Sequence, residues 1–320
     1  MFYVSDIISS AIDDLTKKWH EDGLTESQIR EKIDKNFYDT LTNVSNTFQQ
    51  QITEVTLQAM NDAVAERNHY KDVFLTQQEE KWGFCFSLSK MYHIAIVEVA
   101  GWYAKYIESH IDETEKKRKE YTYASINCLF ARACQVYSEI LCLVINGFPD
   151  GALARWRTMY ELCCYAEFIV NNGEDVARAY YYDNGQKNTW AKEASCFKNR
   201  KGDKISITDI EKECSFTKGG WGDLKKLACF SVHANGIGTF HRMGMEPGKP
   251  IPVGYIDSGI AFPITRATFT LRIIAATFFR IFPSADSIAY SQFINSLADK
   301  IYDAYLEADK RQNPEDYSNV

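Results

Sequence analysis

The chain has 320 residues, of which 45% are hydrophobic, 14% aromatic and 25% charged; that balance belongs to a protein with a large core and excludes global disorder. Seven prolines and seventeen glycines are too few for collagen-like or mucin-like chains, or for an all-β fold with frequent turns. A net charge of −7 and a pI near 5.5 exclude a protein that coats DNA and confine any nucleic-acid contact to a local basic patch.

In chain order, the first segment has no basic n-region, and Asp13, Asp14, Lys17 and Lys18 interrupt its apolar residues, so it is not expected to be a signal peptide. Residues 6–81 carry an amphipathic helical pattern that starts with Ile7, Ile8, Ile12 and Leu15. Thr25 and Gln28 have the spacing of a capping box. The expectation is two to four polar helices forming an N-terminal extension, with an apolar stripe available to a partner or a second copy. A more apolar helix follows over 84–110. The charge run 112–120 reads as a solvated helix end or linker.

Residues 126–145 and 152–170 form two strongly apolar helices. The link between them, Asn146-Gly147-Phe148-Pro149-Asp150, places Gly147 at a helix C-terminus and Asp150 at an N-cap, so the pair is antiparallel. A polar stretch over 184–220 contains a short helix near 208–214, and a helical pattern resumes over 221–240. Residues 241–263 carry four glycines and Pro247, Pro250, Pro252 and Pro263, the composition of an extended loop or small hairpin. Helices over 264–282 and 284–310, separated by Pro283, close the chain. The fold class is all-α: a helical-bundle core over 111–310, an N-terminal helical extension over 1–110 and a frayed tail over 311–320. The longest charge-free runs fall short of the roughly 18 residues that span a bilayer, so no membrane segment is expected. Nine cysteines without a CxxC pair read as buried free thiols of a cytoplasmic protein.

The informative residues are charges set into apolar helices. Arg132 and Glu139 lie seven apart, hence on one face, and Arg157 and Glu161 lie one turn apart. Burying an unpaired charge is costly, so these four are expected to pair with each other or with a bound group. Arg266 and Arg272 sit in the late apolar helix. His20, His69 and His110 lie in polar surroundings, and His93 reads as a core residue. His233, in Ser231-Val232-His233 at the end of a helix, is placed to be exposed and to titrate near neutral pH; His241 and Arg242 follow closely enough to face the same space. No metal-ligand spacing, serine-hydrolase elbow, phosphate-binding loop or dinucleotide fingerprint occurs, so no metal or cofactor is expected.

The order Arg132, Glu139, Asn146-Gly147-Phe148, then Arg155-Trp156-Arg157-Thr158-Met159-Tyr160-Glu161, then Ser231-Val232-His233 resembles a bacterial all-helical family known as domain of unknown function 5677, over about residues 121–282. That family is similar to the HEPN helical-bundle proteins. The resemblance implies a metal-independent ribonuclease of an antiphage or toxin system, completed in a homo-oligomer. In it His233 would act as general acid and base, Arg157 with Arg132 or Arg272 would stabilise phosphate charge, and Glu161 would orient an arginine or the histidine. Ser231, Glu139, Arg272, His241 and Arg242 would contribute to binding RNA in a local basic pocket. The HEPN pattern of Arg, four to six residues and His is absent; Lys226 before His233 and Lys105 before His110 are the nearest approximations. The alternative reading is a non-catalytic module, either a sensor that binds an anionic ligand or a scaffold for a partner protein.

Overall fold

The structure is a computed structural model that describes residues 4–185, 188–202, 204–233, 236, 239 and 253–314. Every regular element among the described residues is a helix. The helices are α1 (Val4–Glu21), α2 (Glu26–Gln58), α3 (Met60–His110), α4 (Glu113–Arg118), α5 (Glu120–Ile145), α6 (Pro149–Asn172), α7 (Glu174–Tyr181), a 3₁₀ turn (Thr189–Glu193), α8 (Ile207–Glu213), α9 (Trp221–Val232), α10 (Ala261–Phe279) and α11 (Ala285–Gln312). The chain divides into two compact units, Met1–Val73 and Phe74–Val320.

In the first unit α1 and α2 form a hairpin. Gly23 adopts φ +81°, and the N–H groups of Gly23 and Leu24 donate to the carbonyls of His20 and Trp19, each at 3.0 Å. This is a Schellman closure, which satisfies carbonyls that the helix end leaves free. The Gln28 side chain accepts from the Thr25 backbone N–H at 3.0 Å, as its spacing predicts. Ile29 is buried, and Lys32 lies 5.2 Å from the Trp19 ring centroid.

The second unit begins inside α3, whose buried residues start at Gln78. The expected boundary near residue 110 therefore falls within this unit. The helix runs through Gly83 without a break. Asp112 caps α4 by accepting from the Glu115 N–H at 2.9 Å, so part of the charge run is a helix in its own right. The core is the antiparallel α5–α6 hairpin, with α10 packed against both helices and α11 against α10. Ile126, Val136, Ile140, Val144, Leu153, Trp156, Met159, Ile264, Leu271 and Ile274 are fully buried there. At about 1.5–3 kcal/mol for each large apolar side chain, this layer dominates the stability of the unit. By length and composition α5 would be long enough to cross a membrane, but half of its apolar window is buried within the protein; it is the central helix of the bundle.

The α5–α6 corner is built as its residues predict, with one correction. Gly147 has φ +74°, and the N–H groups of Gly147 and Phe148 donate to Val144 and Leu143 carbonyls at 3.1 and 2.8 Å. The N-cap is Phe148, not Asp150: Pro149 takes the first helical position, where its missing N–H costs nothing, and Asp150 is buried in the first turn. At the other end of α5 the Glu174 carboxylate accepts from the Tyr121 and Thr122 N–H groups at 2.6 and 3.0 Å, which caps the N-terminal turn from α7.

Two further boundaries shift. α9 ends at Val232. α10 begins at Ala261 and takes Pro263 into its first turn, where proline is tolerated. Of the segment expected as an extended loop or small hairpin, residues 253–260 contain no strand, as the extended loop requires, and residues 241–252 lie outside the described residues. Among the cysteines, Cys85, Cys134, Cys163, Cys164 and Cys214 are buried as expected, whereas Cys128, Cys142 and Cys196 are exposed. The reason is geometric: Cys128 and Cys142 fall on the solvent strip of α5. Burial pushes the Cys85 thiol up to about 11 and the Cys134 thiol up to about 12.

Two outcomes follow from this packing. A Cβ at Gly147 would meet Phe74 Cζ at 2.5 Å and the Ile256 nitrogen at 3.0 Å, and the φ is left-handed. Gly147→Ala should therefore lower stability by about 1–3 kcal/mol, read as a falling midpoint in thermal unfolding. A thiol reagent at about pH 8 should label Cys128, Cys142 and Cys196 in the folded protein and the five buried thiols only after unfolding. Peptide mapping that finds Cys163 or Cys164 modified in the folded state would contradict the packing.

Candidate functional site

Arg132 and Glu139 do share a face of α5, but it is the solvent strip. Arg132 is exposed and donates to Gln135 Oε1 at 2.9 Å. Glu139 is ion-paired with Arg155 of α6, a residue whose importance the spacing did not signal, and the two side chains keep 37% and 31% of their exposure. Arg157 pairs within its own helix with Glu161, Nε to Oε1 3.2 Å, both side chains 30% exposed. The expectation that these charges are buried, and so demand compensation, is corrected here. Partly exposed pairs of this kind contribute between zero and about 1 kcal/mol, and they sit on the rim of the hairpin because their long side chains reach water past an apolar base.

The later residues are likewise held apart. Arg272 on α10 donates to Asp299 Oδ1 of α11 at 2.8 Å and stacks on Phe269 with its guanidinium carbon 4.5 Å from the ring centroid. Arg266 lies over the Phe262 ring. His233 caps α9 at its C-terminus, its N–H donating to Cys229 O at 3.1 Å. It is exposed, and Ser231 is half-buried. Among the described residues no hydrogen bond, ion pair or ring contact joins the His233 side chain to Arg132, Arg157 or Glu161. His241 and Arg242 lie outside the described residues. His20, His69 and His110 are exposed as expected, while His93 is half-buried and stacked on Tyr137.

What the tertiary structure does bring together is a cleft of about 240 Å³ between the end of α6, the turn after α8, α10 and α11. Its polar lining is Glu167, Ser215, Arg272, Thr277, Arg280 and Asn295, and Phe216, Ile273 and Ala276 supply an apolar wall. Glu167 is only 6% exposed. Its Oε1 accepts from the Ser215 N–H at 2.9 Å and from the Ser215 hydroxyl. Its Oε2 is buried and, among the described residues, has no partner. A buried carboxylate oxygen without a donor costs on the order of 1–3 kcal/mol or more, so its presence beside a cavity is informative. Arg280 donates to Asn171 Oδ1 at 3.1 Å, which leaves most of its guanidinium donors free. The sequence held one signal for this site: Glu167 is the only acid in the apolar run Leu162-Cys163-Cys164-Tyr165-Ala166-Glu167-Phe168-Ile169. Its partners lie 48 and more than 100 residues away, which no local pattern reports.

A second polar group, which does not line the cleft, is structural. Lys225 of α9 and Glu211 of α8 pair at 2.5 Å with side chains 12% and 11% exposed. Lys225 also lies 5.8 Å from the Tyr160 ring centroid, and burial, followed by Glu211, pushes the Tyr160 hydroxyl well up. No three metal-ligating side chains converge among the described residues.

These features define the class of protein: an all-helical bundle whose candidate site is a small cleft that mixes charged and apolar side chains. Residues 123–227 match a family of unknown function (DUF5677). The matched segment holds α6 with Glu167 and the turn with Ser215; Ser231, His233 and α10 lie beyond it. No curated protein and no solved structure matches the chain.

The buried pair makes an asymmetric prediction. Lys225→Met alone strands Glu211 and should cost about 3–5 kcal/mol, whereas Lys225→Met with Glu211→Leu should restore most of the loss. A double-mutant cycle in denaturant measures both.

Proposed function

We propose that this chain is a binding module which senses a small polar molecule in the cleft floored by Glu167. The observation that supports the reading is a cavity of about 240 Å³ whose lining includes Glu167, Arg272 and Arg280. The reading places the protein in the cytoplasm and gives the N-terminal helices the role of docking a partner protein or a second copy. A thermal-shift panel of metabolites tests it: a ligand at 100 times its Kd stabilises by about 2.7 kcal/mol, a rise of several degrees for a unit of this size. Flat melting curves across amino acids, nucleotides and sugar phosphates would remove the proposal.

A second reading is supported by the exposure of His233 at a helix end, where a general acid and base must be reachable. In it the protein is a HEPN-like, metal-independent ribonuclease of bacterial antiphage defence. His233 moves the proton of the RNA 2′-hydroxyl, and Arg157 and Arg132, supplied within the chain or by a second copy, stabilise the phosphate. Total RNA incubated in excess chelator should then be cleaved by the protein and not by His233→Ala. Equal cleavage by both, or none by either, eliminates this reading.

A further inference from the structure

We infer that the solvent face of α3 is a self-complementary seam on which a second copy of this chain docks, the two α3 helices running antiparallel. The dimer rests on the part of the binding-module reading that gives the N-terminal helices a partner or a second copy, and it stands apart from the cleft. Glu80, Phe84, Ser87, Met91, Ile94, Glu98, Gly101 and Lys105 follow one another at alternating steps of four and three residues, which is the a/d repeat of a coiled coil. Every one of these positions is exposed, while the opposite face of the helix, with Phe86, Ile96 and Tyr103, is buried in the core.

The seam is apolar at its centre and charged at its ends. Phe84, Met91 and Ile94, with Trp102 next to Gly101, each keep more than half of their surface in solvent. At about 150–250 Å² for a large side chain, these four leave roughly 400–500 Å² of apolar surface open, as much as the largest patch on a typical monomer. With Ser87, Lys90, Glu98 and the charged ends, the face approaches the roughly 800 Å² per partner that a stable interface buries.

The occupant is a second copy because the seam matches itself when it is turned end for end, as a two-fold interface requires. About an axis between residues 92 and 93, Met91 meets Ile94 of the second copy, Phe84 meets Gly101, Ser87 meets Glu98 and Glu80 meets Lys105. A parallel pairing would instead set Glu80 on Glu80, Glu98 on Glu98 and Lys105 on Lys105, so the charges select the antiparallel arrangement. Gly101 supports the same register. Glycine is unfavourable in a helix interior, and nothing in its own chain requires it here, since a Cβ would meet no atom within 4 Å. The bare backbone receives the Phe84 ring of the second copy.

Analytical ultracentrifugation of the full chain at micromolar concentration tests this and should find twice the chain mass of 36.7 kDa. Ile94→Glu, an exposed position in the single chain, should give a monomer with an unchanged helical circular-dichroism signal. Glu80→Lys and Lys105→Glu should each weaken the dimer by roughly tenfold, because the two-fold axis applies each change twice, and the two together should restore it. A monomeric wild type, or a dimer indifferent to Ile94→Glu, would overturn the seam, and a double charge reversal that fails to rescue would overturn the antiparallel register. A monomeric wild type that still melts later with a ligand would overturn the dimer and leave the cleft standing; a dimer with flat melting curves would do the reverse.

Discussion

The hydroxyl of Thr270 donates to the Arg266 carbonyl at 2.8 Å and accepts the Trp156 indole N–H at 2.9 Å. Two residues earlier, on the other side of the helix, Thr268 donates to the Ile264 carbonyl at 2.9 Å and lies 3.1 Å from the Tyr137 hydroxyl. With its single proton spent on its own helix, each threonine is left as an acceptor, and the two large aromatic side chains of α5 and α6 supply the donors. These bonds sit in a core with almost no water, where leaving either partner unmade would cost on the order of 1–3 kcal/mol. They fix α10 in rotation and in register against both helices of the hairpin at once. The position of everything C-terminal to Thr270 on α10, including Arg272, Ile273, Thr277 and Arg280, follows from that register.

The same constraint decides where the cleft lies. α6 carries Glu167 about three turns beyond Trp156 and α10 carries Arg280 about three turns beyond Thr270, the two helices being anchored to each other at those earlier positions. At the far end the apolar layer closes with Phe278, Phe279 and Phe282 packed around Tyr103, and the Tyr103 hydroxyl accepts the Phe282 N–H at 2.8 Å. Glu167 is held in the lining of the cleft by Ser215, whose own turn is tied down by Thr217 donating to the Glu211 and Cys214 carbonyls. A carboxylate so fixed cannot swing out to find water, which is why its second oxygen stays without a partner.

Charges along the α5–α6 hairpin behave in the opposite way. Arg132, Glu139, Arg157 and Glu161 keep their charged heads within reach of solvent and find partners locally. Six or seven apolar letters around an arginine do not mean that it is buried. On a helix half of whose apolar stretch faces the core, the other half still has to face something, and Arg132 and Gln135 mark that side of α5. Glu167, which is enclosed, stands in an equally apolar run and differs in falling on the inner face.

The local features of the sequence settled the helices themselves: the apolar periodicity of α5, α6 and α10, the left-handed glycines at 23 and 147, the proline that opens α6, and the capping glutamine of α2. Each of these depends on residues within a few positions of one another, and so the one-dimensional pattern contains the physics. It also placed Arg132 with Glu139 on one face and His233 at a helix end. Only the tertiary structure decided which faces are inner and which charges are paired. Glu139 chose Arg155 instead of Arg132, Arg272 chose Asp299 on α11, and Glu167 met Ser215 across 48 residues. Those contacts arise from the register that α10 takes on the hairpin, and that register is set by side chains buried together, not by neighbours along the chain.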